Sequence, residues 1–203
     1  MIENDTSELM FKKRYPHIVV VDDFYNDPDY IRKMALEAEY HSDNRFYKGR
    51  RTKKNYLFPY LREEFCRLIK ADISDWTRQP MNGVFQLTSS KDPLVYHSDR
   101  QDYAAAIYLT PDAPLGMGTS FWASKSNGCR RPPSHPLENK PMIDNQSVYN
   151  DYSILNRDAW DLVDKVGSVY NRLVIWDAQM IHSASEYADS DRLVHLFFFN
   201  IKK

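Results

Sequence analysis

Short β-prone runs separated by polar and glycine- or proline-containing breaks occupy the chain from Gly83 onward, and they restrict the fold more than any other feature. GVFQLTS, LVYHSD, YAAAIYLT, TSFWAS, RLVIWD and RLVHLFFFNI each read as a strand. Ahead of them HIVVVDDFY reads as one more strand, and two segments read as helices. In NDPDYIRKMALEAEYH, Asp27 suits the N-cap and Pro28 the first helical position, while Ile31, Met34, Ala35 and Ala38 share an apolar face. The second helix is expected over about residues 59–76, burying Phe65, Leu68, Ile69 and Ile73. A short third helix is expected near residues 157–166. The pattern is α+β and β-rich, with N-terminal helices packed on one sheet of a sandwich or barrel.

With 203 residues, 42% of them hydrophobic, the chain can bury one sizeable core, so a single domain is expected. Residues 1–82 would support a β core formed by residues 83–203. A proline-rich loop within residues 123–150, carrying Pro132, Pro133, Pro136 and Pro141, is long enough to act as a lid or binding loop. The net charge of −1 gives no global attraction to nucleic acid or acidic lipid. Two cysteines, Cys66 and Cys129, are too few for a disulfide framework and fit a reducing cytoplasm. The opening MIENDTSELMFKKRY lacks the apolar segment of a signal peptide, and no run approaches the ~18 apolar residues of a membrane span. A soluble, cytoplasmic protein without a membrane partner is expected.

Chemistry concentrates in VYHSDRQDYAAAIYLTP. Residues i and i+2 of a strand point to one face, so His97 and Asp99 project together. Such a pair either satisfies itself or holds something. His182, just after RLVIWD, supplies a second imidazole. Two imidazoles and one carboxylate are the facial ligand set of non-heme Fe(II) oxygenases, which leaves coordination positions open. Strand parity adds a check. If Arg192, Val194 and Leu196 face the interior, then Leu193, His195 and Phe197 face away, and His195 packs between sheet and helix rather than binding metal.

His97-Ser98-Asp99, the strand AAIYLT behind it, the turn GMGTSFW, NRLVIWD before His182, and Arg192 ten residues beyond it occur in an ordered series. Over roughly residues 83–201 the chain resembles the Fe(II)- and 2-oxoglutarate-dependent dioxygenases, in their prolyl-4-hydroxylase-like branch. That resemblance implies a double-stranded β-helix, the jelly-roll or cupin-like core. It implies His97, Asp99 and His182 as ligands of Fe(II), with Arg192 and Tyr108 gripping the far carboxylate of 2-oxoglutarate. It further implies that O2 oxidises the cosubstrate to succinate and CO2 while a C–H bond of a small molecule or protein side chain is hydroxylated. Two other readings stand beside this one. A cupin-like dioxygenase or zinc hydrolase could use the same ligands without 2-oxoglutarate, but Arg192 then has no evident task unless it pairs with Asp189 or Asp191. A non-catalytic binding module would have no use for three convergent ligands. The basic stretch YKGRRTKKN, with Lys48, Arg50, Arg51, Lys53 and Lys54, reads as a solvated loop, although basic residues among aromatics also grip anions. Trp122 and Trp176 read as core.

Overall fold

The computed structural model describes residues 15–42, 48–132, 155–188 and 191–202. Strand β1 (Ile18–Val21) leads to helix α1 (Pro28–Glu37), β2 (Tyr40–His41) and β3 (Arg50–Thr52). Helix α2 (Leu61–Ile69) and strands β4 (Val84–Thr88), β5 (Tyr103–Tyr108), β6 (Thr119–Ser124) and β7 (Trp160–Val166) follow. The chain closes with β8 (Leu173–Asp177), β9 (His182–Ala184) and β10 (Arg192–Phe199). Seven strands form one antiparallel sheet in the order β1-β8-β5-β10-β4-β3-β2, and a second sheet runs β7-β6-β9. The N-terminal region therefore supplies both edges of the large sheet as well as the helices.

β10 sits at the centre, pairing with β5 through Val194↔Tyr108 and with β4 through Arg192↔Thr88. It is apolar on both faces because both are covered. Val194 and Leu196 join Ala106, Val174, Trp176 and Phe121 in the core between the sheets. Leu193, Phe197 and Phe199 face outward against Ile31 and Ala35 of α1 and Leu61, Phe65 and Ile69 of α2. Phe65 makes an edge contact with Phe197 at 5.0 Å and with Trp76 at 5.4 Å between ring centroids. Burying one such ring contributes roughly 1.5–3 kcal/mol, so this aromatic layer is the principal bond between helices and sheet.

Helix α1 begins as its sequence requires: the Asp27 carboxylate accepts the Tyr30 N–H at 2.9 Å, and Pro28 occupies the first turn. Helix α2 is shorter than expected. Lys70 turns left-handed at φ 57° and ends it, and Ile73 is buried instead through an isolated antiparallel bridge to Ile201. Residues 157–166 are not a helix; a single 3-10 turn at Arg157–Ala159 runs into β7. Only Trp160 of β7 is buried, so pairing to β6 rather than an apolar helical face holds this segment. LVYHSD, expected as a strand, is irregular and joins no ladder apart from the bridge His97↔His182. Residues 133–154, which include most of the proline-rich loop of residues 123–150, and the opening residues 1–14 lie outside the described residues. Both cysteines are free and half-buried. Among the described residues no helix is long and apolar enough to cross a membrane.

His195 points outward from β10, as parity requires, and is completely buried. The Tyr25 hydroxyl lies 2.8 Å from Nδ1 and the Gly83 carbonyl 3.2 Å from Nε2, with Phe85 and Phe197 packed on the ring. Burial pushes its pKa down from 6.5 to about 3. The unfolded chain therefore takes up a proton near neutrality that the folded site refuses. Stability from this group is complete above pH 6.5 and falls, by about 1.4 kcal/mol per pH unit, as the pH drops toward 3. Urea unfolding of the chelator-treated protein should show this acid slope, and His195→Gln should flatten it. Equal slopes in the two proteins would contradict the assignment.

Candidate metal centre

The irregular segment before β5 meets the start of β9, where backbone hydrogen bonds lock the two together. His97 N–H donates to the His182 carbonyl at 3.0 Å, His182 N–H donates back at 2.7 Å, and Asp99 N–H donates to the Ala178 carbonyl at 2.8 Å. These bonds bring together side chains that are remote in sequence. The ligand atoms of His97, Asp99 and His182 all lie within 4.8 Å of one another. His182 Nε2 is 3.3 Å from one Asp99 oxygen, and His97 Nε2 is 3.8 Å from the other.

Both imidazoles are aimed by the same device. His97 Nδ1 donates to the Val95 carbonyl at 2.9 Å and His182 Nδ1 donates to the Met180 carbonyl at 2.8 Å. A proton held at Nδ1 leaves Nε2 with a lone pair, which is how second-layer partners prepare histidine for a metal. Burial and the neighbouring His182 push the His97 pKa down, favouring the neutral ring. Burial acts to raise the Asp99 carboxyl, but His182, His97 and Arg51 together overcome it and hold it below the usual carboxylate range. Asp99 Oδ2 is buried without a hydrogen-bond partner. A cation bound at Nε2 of both rings and at this oxygen would take the place of the imidazole protons that otherwise offset the carboxylate. The donor set suits Fe(II) or another borderline divalent ion.

The three side chains line a cavity of about 550 Å³ between the sheets, with Trp176, Ala106 and Leu196 among its apolar walls. Trp176, expected as core, packs its ring edgewise on His182 at 5.1 Å between centroids. Arg192 lines the same cavity, 7% exposed, with Nε donating to the Met117 carbonyl at 2.9 Å. Its guanidinium lies over the Tyr108 ring, 5.4 Å from the centroid. Among the described residues no carboxylate pairs with it; Asp189 lies outside them. Tyr108 is placed differently from the other candidates. It is buried beneath Arg192, and its hydroxyl is engaged by Thr119 Oγ1 at 2.8 Å. The tyrosine that lines the cavity is Tyr187, with Thr119 and Thr88. Tyr187 lies outside any strand and carries no sequence signal, and Arg51 reads from sequence only as part of a basic stretch, because parity within a three-residue strand carries a weak signal.

The model of a family of unknown function (DUF6445) matches residues 4–192. No curated protein matches the sequence. Solved structures do match in fold. HygX from Streptomyces hygroscopicus, with nickel, 2-oxoglutarate and hygromycin B bound, aligns with a TM-score of 0.56 and 12% identity, covering 92% of this chain and 83% of that one. SnoK, a non-heme α-ketoglutarate-dependent carbocyclase from nogalamycin biosynthesis, gives 0.54 and 16% over 91% and 79%. A prolyl-4-hydroxylase from Pseudomonas putida gives 0.50 and 13% over 92% and 94%. The chain thus has the fold of the Fe(II)- and 2-oxoglutarate-dependent oxygenases.

A metal that binds only the folded protein stabilises it, by about 2.7 kcal/mol at a hundredfold excess over its Kd. For a chain of this size that raises the melting temperature by roughly 5–10 °C. Ni(II) added to chelator-treated protein should produce this rise, and Asp99→Ala should abolish it. An equal rise in the variant would place the metal elsewhere.

Proposed function

We propose that this chain, which belongs to the DUF6445 family of unknown function, is an Fe(II)- and 2-oxoglutarate-dependent dioxygenase that hydroxylates a C–H bond. Its two facing sheets are read as a double-stranded β-helix, with His97, Asp99 and His182 holding the iron at one side of the interior. The observation that carries the reading is one cavity lined both by this ligand set and by a buried, carboxylate-free arginine. Iron(II) held by two imidazoles and a carboxylate supplies open positions for an oxo acid and for O2.

The chain's own residues would perform the remaining tasks. Arg192 presents a planar fork to the distal carboxylate of 2-oxoglutarate, a geometry in which guanidinium pairs bidentately. The Met117 carbonyl and the Tyr108 ring fix that fork in place. Thr119, Thr88 and Tyr187 offer hydroxyls along the same wall. Trp176, Ala106 and Leu196 keep the region between arginine and metal ligands apolar, which limits water at the reacting carbon. The overall change balances as substrate, O2 and 2-oxoglutarate giving hydroxylated substrate, succinate and CO2. An enzyme on the same ligands without 2-oxoglutarate, or a non-catalytic module, would leave Arg192 a buried cation with no anion to meet.

The reading is tested without a known substrate. Anaerobic Fe(II) followed by 2-oxoglutarate should give a weak charge-transfer band at roughly 500 nm, expected when an oxo acid chelates iron in such an open site. Loss of the buried charge pair in Arg192→Ala should cost about 2 kcal/mol or more, raising the 2-oxoglutarate Kd at least roughly thirtyfold. Iron binding without any band would sink the cosubstrate claim and favour the 2-oxoglutarate-independent enzyme.

A further inference from the structure

The cavity lined by His97, Asp99 and His182 is also lined by two amide side chains, Gln79 and Gln101, and by Pro80 and Met81. Gln101 follows Asp99 by two residues, so their Cα atoms are at most about 7 Å apart. Gln79 comes from the segment ahead of β4, which is clamped to the large sheet. Asn82 N–H donates to the Gln79 carbonyl at 3.1 Å. The Asn82 side chain is completely buried, with Nδ2 donating to the Trp76 carbonyl at 2.6 Å and Oδ1 accepting the Phe198 N–H of β10 at 3.0 Å. Asn55 Nδ2 donates to the Pro80 and Asn82 carbonyls at 3.0 and 2.6 Å. A backbone tied at this many points presents its side chains in one arrangement.

The polarity of the two amides is fixed from the interior outward. A backbone N–H donates and never accepts, so it sets the sense of the bonds that follow. Asp102 N–H donates to Asn200 Oδ1 at 3.0 Å, which leaves Asn200 Nδ2 to donate to Asp75 Oδ2 at 2.7 Å. Asn200 N–H donates to Asp75 Oδ1, also at 2.7 Å. The buried Asp75 thus accepts at both oxygens, and Gln79 meets Oδ2 through its Nε2. Gln79 Oε1 is then the atom left for its neighbour, and Gln101 Nε2 donates to it at 3.2 Å. The other branch of the Gln101 amide is Oε1, an acceptor that has no hydrogen-bond partner among the described residues. A chain of bonds anchored on two backbone N–H groups therefore ends at the cavity on an oxygen. A site built to accept from a ligand O–H or N–H discriminates against an analogue that lacks it.

Resting on the oxygenase reading for the reaction, we infer that Gln101 is a substrate-binding residue that accepts a hydrogen bond from a hydroxyl or N–H group of the substrate, with Gln79 and Asp75 as positioning residues that set its polarity. Cyclohexanol and cyclohexanone match in ring size, and only the alcohol donates; 2-piperidone and its N-methyl derivative form a second such pair. Each probe is titrated by NMR into the Ni(II)- and 2-oxoglutarate-loaded protein and into the metal-free protein. At least one donor should bind about fivefold more tightly than its partner in both forms, the fold-change of one neutral hydrogen bond, and the pair with the larger ratio identifies the group. Gln101→Met, of similar length, should cut that ratio at least about threefold. Gln79→Met should cut it about twofold, because the Gln101 amide is then free to turn over. The change on substitution separates Gln101 from Asp99, which also accepts in the metal-free protein, and from the bulk of the N-methyl group. A merely structural role would weaken donor and partner alike and leave the ratio unchanged. Equal binding within both pairs, preference for the ketone, or a ratio insensitive to Gln101→Met would overturn the subsite, and a ratio insensitive to Gln79→Met would overturn the positioning role. Absence of the charge-transfer band in the unsubstituted protein fails the oxygenase reading alone, because the ratio in the metal-free protein is scored independently.

Discussion

Everything in this molecule is arranged around the two-residue alternation of β10. A central strand with both faces covered can afford no unpaired polar group on either side, and β10 carries two, Arg192 inward and His195 outward. His195 is satisfied at once by the Tyr25 hydroxyl and the Gly83 carbonyl, and it becomes part of the aromatic layer that joins the helices to the sheet. Arg192 is held at one nitrogen by the Met117 carbonyl, lies over the Tyr108 ring and lines the cavity. A register slip of one residue would exchange the two and destroy core and cavity together.

The three candidate ligands rely on a different kind of order. His97 and Asp99 lie in an irregular segment that meets the first residue of β9, where His97 and His182 exchange a pair of backbone hydrogen bonds. Irregular backbone at this point frees side chains from strict alternation, while carbonyls two residues upstream aim each imidazole. The sheets thus carry the walls, the arginines and His182, and one irregular segment brings His97 and Asp99 against it. The same division explains the electrostatics, because the two imidazoles and Arg51 together hold the buried Asp99 carboxyl below its usual range against the effect of burial.

Some readings failed where local pattern and tertiary pairing compete. Residues 157–166 alternate too weakly to announce a strand, and pairing with β6 decides their state. Helix α2 stops at a left-handed Lys70, a turn that the apolar spacing through Ile73 conceals, since Ile73 is buried in a bridge to Ile201 instead. Tyr108 stands one strand from Arg192 with its ring beneath the guanidinium, and Tyr187, which no strand pattern singles out, lines the cavity beside them. The basic stretch was legible as charge but not as geometry; two of its five cations, Lys48 and Arg51, line the cavity where β3 pairs with β4.

Read alone, the residues settle what depends on short-range alternation and on ligand chemistry. Those are the β-rich fold class, the cap of α1, the opposite facing of Arg192 and His195, and the His-Asp-His donor set. Only the folded chain decides what depends on long-range pairing. It places His97 and Asp99 against His182, chooses which tyrosine lines the cavity, and turns one of two adjacent arginines toward the metal ligands. The physical reason is that side-chain direction follows from a strand's own period, whereas proximity follows from which strand becomes its neighbour, and that choice belongs to the packing of the whole sheet.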